Sequence, residues 1–359
     1  MQVDTTNDAV RHPTLYKASG DLVVSAADGS ATHLFRVHAL ILAEQSPVFA
    51  GMLSLPTTGG ADMQTYDGAP IVHLPDNAKD VTALLEAIYT PGYPILKNAR
   101  TFASDVYGLM SIATKYEVDS ICVAISARLK EQWPATRTDF MLAREDRHRY
   151  AVGPFFCGGP RSPEPASAIR LATDFNIPEV LAAAYYELAT HDIIEGDLWA
   201  RDSSSPRWDL LRPEELLRYY QGKHRLAKEF FEAVDVFDSV YDSDVECETV
   251  FDDFEDDGEF TDSSACRKAL AKARYEWDRA PPSLSVVRFR LTDADPMHTL
   301  LKIYEGESKP GKLCTPCAGA FQSHCVKTME ALWDALPAIF SLKDHPFYTP
   351  VPRARRGQH

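Results

Sequence analysis

Two short apolar runs joined by an Asp-Gly turn dominate the N-terminal part of this sequence. Leu22-Val23-Val24 and the alternating stretch His33–His38 flank the turn cluster Ala27-Asp28-Gly29-Ser30. Asp-Gly between two apolar runs is a strong signal for a β-hairpin, because both residues tolerate the positive φ that tight hairpin turns require. The sequence therefore predicts an N-terminal sheet against which later helices can pack.

Helical patterns follow the hairpin. Ala39–Glu44 has helical composition and ends at Ser46-Pro47, where a Ser N-cap and a Pro at the first helical position start a second short helix. After a strand at Ile71–Pro75, apolar residues spaced by three and four predict three more helices, which begin at Asp80, Ser104 and Asp119. This order predicts an α+β module, a small sheet with helices clustered against it.

The residues of this module match those of a known family in several segments: Asp21-Leu22-Val23-Val24, Phe35-Arg36-Val37-His38, Leu42, Ser46-Pro47-Val48-Phe49, Met52-Leu53, Leu84-Leu85-Glu86-Ala87-Ile88-Tyr89-Thr90, Leu109, Ala113, Lys115-Tyr116 and Val118. Together they resemble the BTB/POZ domain over residues 19–132, about a third of the chain. The resemblance implies a protein-interaction domain, commonly homodimeric, with no chemistry of its own. It also implies a dimer surface on the first strand and the helix His38–Glu44, and the candidate interface residues are Leu22, Val24, Leu40, Ile41 and Phe49.

Two polar residues of the module, Asp21 and His38, stand at the edges of apolar runs, where burial forces a polar side chain to find a hydrogen-bond partner. We expect a structural role for both. In repressor members of the family the matching acid pairs with a basic residue directly after the matching His; Ala39 stands there, so the resemblance does not extend to that charged pocket. Met110-Ser111-Ile112 offers no copy of the apolar-x-acid motif of cullin adaptors, and cullin binding stays an alternative.

Loop and helix signals divide the rest of the chain. Gly153-Pro154 and Gly158–Pro163 are loop sequences, whereas helical spacing resumes at Ala166 and is broken by Asn176-Ile177-Pro178. The paired helices resemble the helical extension of many fungal BTB proteins. After the first module we predict a linker, a helical extension, an acidic and aromatic tract, a helical cysteine-bearing region and a tail, at 133–165, 166–228, 229–262, 263–342 and 343–359.

The net charge of −15 is concentrated in the acidic tract. Fifteen Asp and Glu residues and no Lys or Arg lie between Glu229 and Asp262, while the rest of the chain carries 37 of each sign. A neutral remainder argues against a basic nucleic-acid-binding domain. Aromatic residues alternate with the carboxylates, as in segments that fold on a partner. We predict a helical continuation for Phe230–Tyr241 and a loop for Asp252–Asp262.

The late cysteines have the spacing of a metal site. Cys314-Thr315-Pro316-Cys317 is a C-x2-C pair, which lets two thiolates bind one zinc ion from a tight turn. Cys247 and Cys266 are the residues that we predict to complete a four-ligand site. The competing interpretation is reduced thiols in helices, because Cys266 shares an apolar stripe with Leu270. Zinc is the one cofactor that the sequence suggests.

Catalytic signatures are missing from the sequence: it has no G-x-S-x-G, H-E-x-x-H, Walker A or dinucleotide glycine motif. We therefore predict a non-enzymatic scaffold or adaptor that binds proteins and forms a homodimer. It is expected in the nucleus or cytoplasm, because no secretory signal and no membrane-spanning apolar run is visible. Two alternatives remain, a transcription-linked regulator that uses the acidic tract and a substrate adaptor of a cullin-type ubiquitin ligase.

Overall fold

A computed structural model describes eleven stretches of the chain, namely residues 9–29, 31–55, 64–90, 92, 100–152, 163–191, 206–233, 247–248, 265–279, 295–307 and 313–342. These residues fall into two compact units. The first comprises residues 1–132 and 147–164, and the second comprises residues 133–146 and 165–359.

The first unit is built on a five-stranded sheet. Its strands are β1 (Ala9–Tyr16), β2 (Leu22–Asp28), β3 (Ala31–Val37), β4 (Thr65–Tyr66) and β5 (Ala69–Asn77). They lie in the order β1-β3-β2-β5-β4. Strands β2 and β3 form the predicted hairpin, with Leu22 opposite Val37 and Asp28 opposite Ala31. Gly29 has φ +60°, which is the conformation that the Asp-Gly turn was expected to need.

Strand β1 was not predicted from the sequence. It runs parallel to β3 and ends near the turn between β4 and β5. There the Tyr16 hydroxyl donates to Asp67 Oδ2 over 3.0 Å, and Arg11 and Arg36 approach the same carboxylate at 3.4 and 3.6 Å. Pro13 and the polar residues around it hide the strand pattern in the sequence, and the strand is defined by its pairing with β3.

Helices pack around this sheet: α1 (Ala39–Gln45), α2 (Pro47–Ser54), α3 (Ala78–Tyr89), α4 (Phe102–Asp105), α5 (Tyr107–Lys115) and α6 (Asp119–Gln132). Two predicted helix starts were wrong. The N-cap of α3 is Asn77, which accepts from the Lys79 N–H, and Asp80 lies in the first turn. Ser104 lies inside α4 and donates to the Thr101 carbonyl, so it caps no helix.

The second unit is helical in the part of it that is described. It contains α7 (Arg137–Val152) up to Asp146, α8 (Pro165–Asp174), α9 (Leu181–Ala189), α10 (Pro213–Ala233), α11 (Ala265–Arg279), α12 (Pro296–Glu307) and α13 (Thr315–Ile339). Helix α7 lies within the segment predicted as a linker. The break at Asn176-Ile177-Pro178 is confirmed, since Asn176 has φ +55° and a 3-10 turn follows at Pro178–Val180.

An aromatic cluster forms part of the core of this unit. The ring centroids of Phe140 and Trp333 lie 4.9 Å apart, and that of Tyr186 lies 5.8 and 5.9 Å from them. Beside the cluster, Arg144 lies 3.1 Å from Glu187 and also pairs with Asp295. Asp295 accepts from the Tyr186 hydroxyl just before α12 begins, so the ion pair ties the start of that helix to α7 and α9.

The observed architecture agrees with the predicted fold class, an α+β N-terminal part followed by a mainly helical region. Helix α10 continues through the first residues of the acidic tract to Ala233. Residues 234–246 and 249–264 of the tract and its border lie outside the described residues, as do the predicted tail at 343–359 and the loop Gly158–Pro163 apart from its last residue.

Candidate functional site

Four cysteines of the second unit converge on one point. Their Sγ atoms all lie within 4.8 Å of one another, and the residues are Cys247, Cys266, Cys314 and Cys317. These are the four residues that the sequence predicted as ligands of one site. The structure therefore brings the whole predicted set together, and none of these four cysteines forms a disulfide.

Local structure places three of these thiols at the starts of helices. Cys314 is the N-cap residue of α13, and Cys317 lies in the first turn of the same helix after Pro316. Cys266 is the second residue of α11. Helix N-termini favour negative charge, because their first N–H groups have no carbonyl partner in the helix. Thiolates are therefore stabilised at the positions that the C-x2-C spacing provides.

The distances fit a tetrahedral metal ion. Four sulfurs placed about 2.3 Å from one ion lie about 3.8 Å from each other. The Sγ atoms of Cys247 and Cys314 are 3.8 Å apart, far beyond the length of a disulfide bond of about 2.05 Å. The backbone N–H of Cys314 also donates to Cys266 Sγ over 3.2 Å. Backbone N–H donors of this kind orient metal-bound sulfurs. No sequence pattern predicts this hydrogen bond.

The thiol of Cys317 has a pKa above its ordinary value when no metal is bound. Burial raises the pKa of Cys317, and hydrogen bonds with Cys314 and Cys247 raise it further. Cys325 lies on α13 in the hydrophobic core, where burial raises its pKa to about 12. Cys325 is therefore a core residue of α13.

Asp21 and His38 have structural partners, as expected. Asp21 Oδ1 accepts the backbone N–H of Ala39 over 2.8 Å and so caps α1 from a distant position. The His38 ring lies 2.9 Å from the Tyr89 hydroxyl and 3.0 Å from Ser19 Oγ. Both side chains thus hold the junction between β3, α1 and α3.

The comparison with known families identifies the first unit. The model of the BTB/POZ domain family matches residues 17–132. The N-terminal part of this chain is a BTB/POZ domain. The match confirms the resemblance that the hairpin and the helices carry, and it identifies this part of the chain as a non-enzymatic protein-interaction module. No curated protein and no solved structure matches the chain.

The residues predicted for the dimer surface of the BTB domain divide into two groups. Leu22, Val24 and Phe49 are buried in the core of the domain, where Phe49 stacks on the Tyr116 ring at 4.6 Å. Their side chains therefore hold the fold and are not on the surface. Leu40 is 67% exposed and Ile41 is half-buried, both on α1. The predicted surface is thereby reduced to this face of α1.

None of the described helices is long and apolar enough to cross a membrane.

Proposed function

We propose that this protein is a non-enzymatic adaptor or scaffold that binds proteins through its BTB domain and begins by self-association. The BTB/POZ identity of residues 17–132 carries the proposal. The adaptor would act in the nucleus or the cytoplasm, where BTB proteins typically occur.

Helix α1 supplies the proposed dimer surface. A leucine that is two-thirds exposed on a helix leaves apolar area in water, and burying it against a second copy recovers about 1.5–3 kcal/mol per side chain. The neighbouring Ile41 is partly exposed and extends the same apolar surface. Burial of the other three candidates in the monomer core means that they act on dimerisation only by shaping α1 and α2.

Oligomeric state tests this proposal directly. We expect the full chain to run as a dimer in light scattering coupled to size exclusion, and Leu40→Asp to run as a monomer, because an aspartate would be buried unpaired between the copies. Leu217→Asp is the matched control, since Leu217 is 56% exposed on α10 of the second unit. A monomeric wild-type chain, or a dimeric Leu40→Asp variant, would contradict the proposed surface.

The two alternative functions stay predictions with separate tests. A cullin adaptor retains a purified cullin through the BTB domain, and failure to do so with purified components removes that role. A transcription-linked regulator loses its reporter signal when residues 251–260 are deleted; these residues lie outside the described part of the chain.

We further propose that the four-cysteine cluster binds one zinc ion. The convergence of four thiols from three separate parts of the sequence supports this, together with the 3.8 Å separation of the Cys247 and Cys314 sulfurs, which matches a tetrahedral site. Four thiolates hold zinc or iron in this geometry, so elemental analysis must accompany the binding measurement.

Native mass spectrometry with and without a chelator tests zinc binding. We expect one zinc per chain, which is lost with the chelator and lost in Cys314→Ser, because three thiolates bind zinc more weakly than four. Cys122→Ser is the matched control, since Cys122 is a free, half-buried thiol in the other unit. A metal-free chain after reconstitution with zinc under reducing conditions would refute the proposal.

A further inference from the structure

The described part of helix α11, residues 265–272, has little hydrophobic anchoring. Among residues 265–272, the part of the helix whose side chains are described, only Cys266 and Leu270 are buried. A helix of 15 residues is marginal in water when it stands alone, and in proteins most helical stability comes from the packing of an apolar face. One leucine and one thiol are a small apolar face for a helix of this length.

Helix α13 is anchored in a different way. Buried side chains recur along it well beyond the cysteine pair, at Phe321, Cys325, Met329, Leu332, Trp333, Leu336 and Ile339. The Trp333 indole N–H also donates to the Ala135 carbonyl over 2.9 Å. The body of α13 is therefore held by the core, and its position does not depend on the four-cysteine cluster.

The four-cysteine cluster joins the start of α11 to the start of α13. Cys266 from the first turn of α11 accepts the backbone N–H of Cys314 at the start of α13, and its Sγ lies within 4.8 Å of the other three sulfurs. Cys247 brings a further stretch of chain to the same point. Three separate pieces of the chain thus meet through four sulfur atoms.

We infer that the metal proposed above is a structural clamp, which holds α11 and the Cys247 stretch against the N-terminus of α13. The inference rests on the proposed zinc site and specifies what that site does. Protein thiolates fill all four coordination positions, as in structural zinc sites, whereas a catalytic zinc keeps one position open for water or substrate. In the absence of the ion, the sulfurs have only weak hydrogen bonds in place of four metal–sulfur bonds.

The clamp makes the order of α11 dependent on the metal, while α13 stays folded. Stability within one protein is not uniform, and segments with few buried contacts open locally without global unfolding. Removal of the metal should therefore release residues 265–279 and leave residues 321–339 protected. A folding role shared by the whole unit would instead expose both helices together.

Amide hydrogen exchange on the full chain separates these outcomes. After removal of the metal under reducing conditions, or in Cys266→Ser, we expect protection of α11 to fall by about tenfold or more and that of residues 321–339 to change by less than about twofold. Leu270→Ala keeps the four thiols, so it should keep its zinc and lose less protection in α11 than Cys266→Ser does. Cys122→Ser should change neither helix.

Each result has one meaning once zinc is measured in the same samples. Zinc bound to the wild-type chain with α11 equally protected after its removal would overturn the clamp and leave the zinc site standing. Equal loss of protection in both helices would also overturn it, because the metal would then support the whole unit. A chain that binds no zinc would overturn the proposed site itself, and the clamp with it.

Discussion

The close approach of α10 and α13 at Gly222 permits a sharp test of how α13 is held. A methyl group added at Gly222 would overlap Cδ1 and Cε1 of the Phe340 ring and lie 3.0 Å from its Cγ. Phe340 is fully buried and stacks on Tyr185 with ring centroids 5.4 Å apart. The ring therefore has no free space into which it can move when Gly222 is replaced by alanine.

Two opposing effects decide the magnitude. Replacing glycine with alanine inside a helix normally stabilises it by about 0.5–1 kcal/mol, because the unfolded chain loses freedom. Overpacking a buried site costs about 1–3 kcal/mol, since side chains leave their rotamers and the backbone shifts. Carbon atoms pack at about 3.5–4.0 Å, so the Phe340 ring must move by roughly 1 Å or more. The cost of overpacking should therefore exceed the gain from replacing glycine. We expect Gly222→Ala to destabilise the second unit by about 1.3 kcal/mol, the difference between the midpoints of these ranges.

Tryptophan fluorescence gives an assay that is selective for this unit. All five tryptophans of the chain lie in the second unit, at positions 133, 199, 208, 277 and 333. Urea denaturation followed by this signal should show a lower midpoint for Gly222→Ala. Gly319→Ala is the matched control, because nothing lies within 4 Å of a methyl group added there on α13. An unchanged or raised midpoint for Gly222→Ala would refute the packing argument.

Two further predictions concern a charge and a cap. Asp295→Asn leaves the partly buried Arg144 without its closest carboxylate and with Glu187 alone, so we expect a loss of about 2 kcal/mol at neutral pH in the same fluorescence assay. Burial would raise the pKa of Asp295, but Arg144 and hydrogen bonds hold this pKa below the ordinary value. The stabilisation that ionised Asp295 gives to the fold is therefore complete at neutral pH and declines below about pH 4. The difference in stability between wild type and Asp295→Asn should shrink in that acidic range. Ser46→Ala removes the cap of α2 and the hydroxyl that donates to the Tyr116 carbonyl. We expect this change to lower the stability of the BTB domain by about 2 kcal/mol, measured by hydrogen exchange of α2. The control Ser54→Ala, at an exposed position, should lower it by less than about 0.5 kcal/mol.

Local sequence signals were sufficient for much of the BTB domain. The Asp28-Gly29 turn needed only the positive φ of glycine, and Ser46-Pro47 needed only its own side chain to cap α2. Strand β1 pairs in parallel with β3, which lies more than fifteen residues later in the chain. A strand that is defined by pairing with a distant segment and that contains Pro13 has no local pattern, and this is why the sequence could not predict it.

The four-cysteine cluster was also predicted only in part from local sequence signals. The C-x2-C spacing of Cys314 and Cys317 is a local signal, since both thiols lie at one helix start. The choice of Cys247 and Cys266 as their partners had no spacing to support it, and only the fold brings these thiols within reach. The apolar stripe shared by Cys266 and Leu270 favoured a core cysteine, and the structure shows that Cys266 is buried and also belongs to the cluster. Burial and membership of the cluster are therefore not alternatives at Cys266, because the proposed metal site would replace part of the apolar core that the described part of α11 lacks.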